Sequence, residues 1–138
     1  MTRCRGPVRG TVRTPRQVNG DRAEAVAADY LVARGWTILA RNVRVGRSEV
    51  DLVAREPAGM LVIVEVRSHT VARLGAPEES VDATKVARLY AAARTLLRSD
   101  RSPDDVRPVP FRIDLVTVVR DTDGRWRPRR HLRGLTPP

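Results

Sequence analysis

Apolar residues recur at helical spacing in GDRAEAVAADYLVARG (residues 20–35), with Ala23, Val26, Ala27, Tyr30 and Leu31 on one face. Asn19 or Asp21 can cap the start of this helix, and Gly35 ends it. The period then shortens to two. WTILARNVR, SEVDLVARE and MLVIVEVRS read as three consecutive strands, and the EPAG between the last two suits a hairpin turn. HTVARLGAPEE (residues 69–79) is too polar and interrupted for an element and reads as a loop. SVDATKVARLYAAARTLLRSD returns to helical spacing, with Val86, Leu89, Tyr90, Ala93 and Leu96 on one face. RSPDDVRPVP is a linker and FRIDLVTVVR a fourth strand; DTDG is a turn, with a short strand at RWR before a Pro-capped tail. The order α-β-β-β-α-β predicts an α/β fold.

A length of 138 residues favours one domain with one core, and 41% apolar content is enough to fill it. MTRCRGPVRGTVRTPRQ has Pro, Gly and Arg but no apolar periodicity. The chain therefore divides into a disordered basic leader (1–18), a single domain (19–128) and a flexible basic tail (129–138). The net charge of +10 follows that division. Residues 1–19 carry +5 and residues 120–138 carry +4, which leaves the body near +1. The termini thus hold most of the positive field, which attracts polyphosphate without reading sequence. Lys85 is the only lysine among 26 basic residues, so an Arg-rich composition or a solubilising tail accounts for the same charge.

Other features narrow the function classes. Aromatics at 4% are too few for a base-stacking surface. No apolar run approaches the roughly 18 residues of a membrane span, and the leader lacks the apolar core of a signal peptide. Cys4 has no partner cysteine, which fits a reduced, cytoplasmic setting. No Gly-rich phosphate loop, Cys/His zinc spacing or Ser/His nucleophile motif is present, so kinases, zinc fingers and serine hydrolases drop out.

The unusual feature is the charge inside the two most apolar strands. Alternation puts Glu49, Asp51 and Val53 on one face of the second strand, and Val50, Leu52 and Ala54 on the other. In the third, Leu61, Ile63, Glu65 and Arg67 oppose Val62, Val64 and Val66. If the strands pair through EPAG, Asp51 and Glu65 become neighbours. Two close carboxylates stay ionised only with a cation between them, and oxygen ligands suit Mg²⁺ or Mn²⁺. The bland alternative is an edge position with one face in water, where Arg67 makes an ordinary cross-strand ion pair with Asp51 or Glu49.

The series GDRAEAVAADYLVARGWTILARN, SEVDLVARE, LVIVEVRSH, GAPEESVDATKVARL and FRIDLVTV resembles the YraN-like family of small bacterial proteins from about Gly20 to Val119. That family is similar in fold to archaeal Holliday-junction resolvases and PD-(D/E)xK nucleases. The resemblance implies a restriction-endonuclease-like mixed sheet flanked by helices. It also implies that the misplaced acids are a metal site. Asp51, Glu65 and the carbonyl of Val66 would hold Mg²⁺ or Mn²⁺, and Glu24 in the first helix would act through a water or a second ion. Arg67 stands where the superfamily has lysine. A guanidinium grips a phosphate oxygen but cannot serve as a base. Lys85, at the family's own lysine position, could reach the site from the second helix.

His69 could approach the metal or the phosphate. His131 adds to the basic tail, and Asp114 suits a structural ion pair with an arginine. The resulting expectation is a metal-dependent nuclease or nuclease-like protein acting on DNA, with branched or damaged DNA as the substrate class. Its rival is a non-catalytic nucleic-acid-binding module that keeps the fold; an assembly or ribosome-associated factor using only its tails is a third reading. Nucleic acid, DNA before RNA, is the expected partner. No membrane association is expected, and a homodimer is allowed.

Overall fold

In the computed structural model the residues described are 14–70, 82–99 and 109–136. The first helix, α1 (Pro15–Ala33), starts ahead of its apolar periodicity. Thr14 Oγ1 accepts from the Gln17 N–H at 3.1 Å, and Gln17 Oε1 accepts from the Thr14 N–H at 2.8 Å. This capping box, with Pro15 where a missing N–H costs nothing, sets the start in place of Asn19 or Asp21. Residues 15–18 are therefore helix, although their composition suggests leader. Residues 1–13 lie outside the described residues. Gly35, at φ 90°, closes the helix, with the Trp36 N–H donating to the Leu31 carbonyl.

Five strands follow the expected order: β1 (Thr37–Val45), β2 (Ser48–Arg55), β3 (Leu61–Thr70), β4 (Phe111–Arg120) and β5 (Trp126–Leu132). The sheet order is β1-β2-β3-β4-β5, antiparallel except for the parallel pair β3–β4. Helix α2 (Ala83–Ser99) lies between β3 and β4 in the chain, as a parallel pair requires of its connection. The α/β class and the mixed sheet flanked by helices are what the chain adopts.

The sheet divides the core in two. Ala23, Ala27, Ala28 and Leu31 of α1 pack on Leu52, Ala54, Val62, Val64, Val116 and Val118. Leu89, Ala92 and Ala93 of α2 pack on Val53, Leu61, Ile63 and Ile113. The alanines of both helices allow close approach to the sheet, and all of these residues are buried.

Several sequence expectations change here. His69 and Thr70 belong to β3, extended by pairing with Val119 and Arg120 of β4, and not to a loop. Residues 71–79 of that expected loop, 80–81 at the expected start of the second helix, and 100–108 around the linker lie outside the described residues. The tail expected from residue 129 is partly strand. β5 runs to Leu132, and beyond it the Leu135 N–H donates to the Ile113 carbonyl at 2.7 Å. Pro128 and the exposed arginines of β5 suit the free edge of a sheet, so composition alone reads as tail.

His131 is more than added charge. Its Nε2 lies 2.8 Å from Asp114 Oδ2, and its Nδ1 lies 3.1 Å from the Tyr30 hydroxyl. Asp114 also accepts two bonds from Arg112 and one from the Gly134 N–H. This is the ion pair with an arginine expected for Asp114. Burial acts to raise the Asp114 pKa, but the bonds from His131, Arg112 and Gly134 outweigh it and hold it at about 2.

Candidate functional site

The site begins where β2 and β3 stop pairing. Their ladder ends at Leu52↔Val64. One residue further Asp51 would stand opposite Glu65, but the strands part, and Asp51 Oδ2 instead accepts the Val66 N–H at 2.8 Å. In an extended strand a residue's N–H and C=O point to the same side, so the Val66 carbonyl is on the side of this fork too.

The parting has a local cause that alternation does not reveal. Val50 packs with Val53 on the α2 side, whereas strict alternation puts them on opposite faces. The neighbouring strand breaks in step. Asn42 lies opposite Asp51, between the pairs Arg41↔Leu52 and Val43↔Val50, and has φ 51°. Asparagine tolerates that left-handed conformation better than most residues. A bulge between Ile38 and Ala40 adds a second break in β1. The expected common face of Glu49, Asp51 and Val53 therefore does not exist. Asp51 stands at the kink, between the two faces of the sheet.

That placement lets both helices reach it. Glu24 arrives from α1 and interacts with Asp51. Glu65 lies on the α2 side and is 6% exposed. Lys85 Nζ, in the first turn of α2, is 3.6 Å from Glu65 Oε2, and Arg67 Nε is 3.8 Å from the same oxygen. The Lys85 N–H donates to Asp82 Oδ1 at 2.8 Å, which fixes the start of the helix that carries it. Glu24, Asp51, Glu65, Val66, Arg67 and Lys85 thus meet around the fork, with Glu24 approaching from the opposite face. His69 is on β3 but lines neither cavity beside the fork.

The electrostatics are those of a charge-rich, water-poor place. Burial, then repulsion by Asp51, raises the Glu65 pKa to about 7, against the pull of Lys85 and Arg67. Burial, then Asp51, Asp21 and Glu49, raises Glu24 to about 7. Burial also raises Asp51, opposed chiefly by the Val66 N–H bond. These carboxyls need either protons or a further cation to share the fork.

An oxygen-only donor set of this kind fits Mg²⁺ or Mn²⁺. Among the described residues, no three His, Cys, Asp or Glu side chains converge as a ready group of metal ligands. Asp51, Glu65 and the Val66 carbonyl are the oxygen groups at the fork that could hold such an ion.

Two cavities flank the fork. One, of about 590 Å³ on the α2 side, is lined by Arg47, Glu49, Asp51, Glu65, Lys85 and Arg88 among others. The other, about 650 Å³, lies beside α1 and includes Asp21, Glu24, Arg41, Asn42, Arg44 and Glu49. Arg47, Arg88 and Asn42 are absent from the sequence-derived site. The three-residue step from Lys85 to Arg88 puts both on one helix face and was the available signal for Arg88. No such signal marks Arg47 or Asn42.

A family model described as "Uncharacterised protein family UPF0102" matches residues 23–118. A UPF0102 protein of Symbiobacterium thermophilum is 42% identical over 110 residues, covering 80% of this chain and 89% of that protein. One from Deinococcus radiodurans is 39% identical over 110 residues, covering 79% and 87%. Among solved structures, the chain is similar to SfsA of Pyrococcus furiosus in complex with Ca²⁺. That match has TM-score 0.41 and 19% identity, over 85% of this chain and 64% of that one. A repair endonuclease from Pyrococcus abyssi matches with TM-score 0.35 and 14% identity, over 73% and 39%. The chain spans less than two thirds of the length of either solved protein.

Proposed function

The chain belongs to the uncharacterised protein family UPF0102, and we propose that it is a metal-dependent nuclease acting on DNA, with branched or damaged DNA as its substrate class. The observation that carries this reading is the meeting of Glu24, Asp51 and Glu65 with Lys85 and Arg67 at one fork of the sheet. A purely structural cluster has no reason to gather three mutually repelling acids, Glu65 buried and Glu24 and Asp51 half-buried, beside an open cavity.

Asp51, Glu65 and the Val66 carbonyl would hold Mg²⁺ or Mn²⁺. When bound, the ion supplies a water of lowered pKa and neutralises charge on the phosphate. Asp51 is held in place by the Val66 N–H, so its second oxygen has a defined direction. Arg67 offers two donors to a phosphate oxygen and cannot take a proton. Lys85 supplies what Arg67 lacks, an amine that can lose and regain a proton, and its contact with Glu65 puts it within reach.

The guanidinium at 67 favours a second reading, a non-catalytic module that binds nucleic acid through the same surface. Purified protein titrated with Mn²⁺ and assayed on linear, flapped and four-way DNA separates the two. The nuclease reading expects cleavage by the natural protein that Asp51→Asn abolishes, with Mn²⁺ binding lost in step. No cleavage with any divalent ion or DNA structure would leave only the binding module.

A further inference from the structure

Arg67 at the fork is ion-paired with Glu65. Away from the fork, Arg112 and Arg133 pair with Glu56, Arg125 with Asp123, and Arg127 with Asp121. Arg47 and Arg88 are exposed and line the cavity on the α2 side, yet neither is ion-paired among the described residues. Carboxylates are at hand, since Glu49, Asp51 and Glu65 line the same cavity. Two exposed guanidiniums that make no ion pair with these acids are placed to receive an anion from solvent.

We propose that Arg47, Lys85 and Arg88 form a phosphate subsite that holds the backbone of a nucleic-acid strand against Asp51 and Glu65. This rests on the nuclease reading of the same fork and names the groups that would deliver the scissile phosphate to it. Lys85 and Arg88 are three residues apart on α2 and share a face. Arg47 approaches from the turn between β1 and β2. The three cations match the three carboxylates lining the cavity, so a divalent ion at Asp51 and Glu65 leaves the balance positive. The planar forks of Arg47 and Arg88 suit non-bridging phosphate oxygens. The volume of about 590 Å³ falls in the ordinary range for a ligand site, roughly 300–1,000 Å³.

Anisotropy of a short labelled DNA duplex, titrated with salt in EDTA, tests the subsite without metal or turnover. Arg47→Ala and Arg88→Ala should each flatten the slope of log affinity against log salt by about 0.9. At about 0.1 M salt, relative to 1 M, that is about an eightfold loss. Arg98→Ala, at the far end of α2, should leave the slope unchanged, and thermal melts should show all three variants folded. Unchanged slopes for Arg47→Ala and Arg88→Ala overturn the proposal. So does absence of DNA binding by the natural protein, or displacement of the duplex by inorganic phosphate at equal phosphate concentration. Mn²⁺ uptake by the same proteins keeps the two readings apart. Uptake with unchanged slopes removes the subsite and leaves the metal site, whereas flattened slopes without uptake keep the subsite and remove the nuclease.

Discussion

Replacing Glu65 by glutamine should stabilise the protein at pH 8 and do little at pH 5. The carboxyl is 6% exposed, and burial followed by Asp51 raises its pKa from 4.5 to about 7. The folded state therefore keeps a proton that the unfolded chain has already released. That contribution to stability is complete below pH 4.5 and is lost as the pH rises through about 7. A rise of this size corresponds to about 3 kcal/mol for one group titrating alone. The pull of Lys85 and Arg67, at 3.6 and 3.8 Å, is already contained in that net rise. The expectation at pH 8 is therefore a gain of up to about 3 kcal/mol, read by urea denaturation followed by circular dichroism. Mn²⁺ at about one hundred times its Kd should then stabilise the natural protein by about 2.7 kcal/mol and the variant by much less. The reasoning is refuted if Glu65→Gln is no more stable than the natural protein at pH 8, or keeps the same dependence between pH 5 and 8. Destabilisation by several kcal/mol would instead make Glu65 the anchor of a structural ion pair.

In a cleavage assay Arg67→Lys should keep or raise the rate, because it restores an amine beside Glu65. Lys85→Ala should lower the rate about 10²–10⁴-fold if its proton is used, and an unaltered rate would remove Lys85 from the chemistry. Asp114→Asn should cost about 3 kcal/mol at pH 7, because it weakens the bonds of the fully buried Asp114 carboxylate to Arg112, His131 and Gly134. The Asp114 pKa of about 2 lies below its ordinary 3.8, so this stability is present above 3.8 and lost as pH falls through about 2. The gap between variant and natural protein in denaturation midpoints should narrow over that window. Deleting residues 1–13 removes four arginines and should lower the DNA-binding salt slope by up to about 3.6, with the melting temperature unchanged. Extending the deletion to residue 18 removes the Thr14 cap as well and should cost about 1 kcal/mol more.

Much of the fold is local and was legible in the residues themselves. The apolar spacing of Ala23, Ala27 and Leu31, the stop at Gly35, the EPAG turn and the runs that became β2, β3 and β4 each depend on a few neighbouring side chains. The candidate acids were also visible, because a carboxylate inside an apolar strand stands out. What alternation could not supply was their common direction. The face a strand residue takes depends on every residue before it being regular, and here a kink opposite left-handed Asn42, which faces Asp51, puts Val50 on the side of Val53. That kink, with the early end of the β2–β3 ladder, opens the fork where Glu24 and Lys85 arrive from opposite faces of the sheet. β5 depended on a partner in the same way. Its arginines and proline read as tail, and only hydrogen bonding to β4 makes them an edge strand and brings His131 under Tyr30 and onto Asp114. Pairing, register and convergence are relations between distant segments, and a single strand's sequence carries only its own half of each.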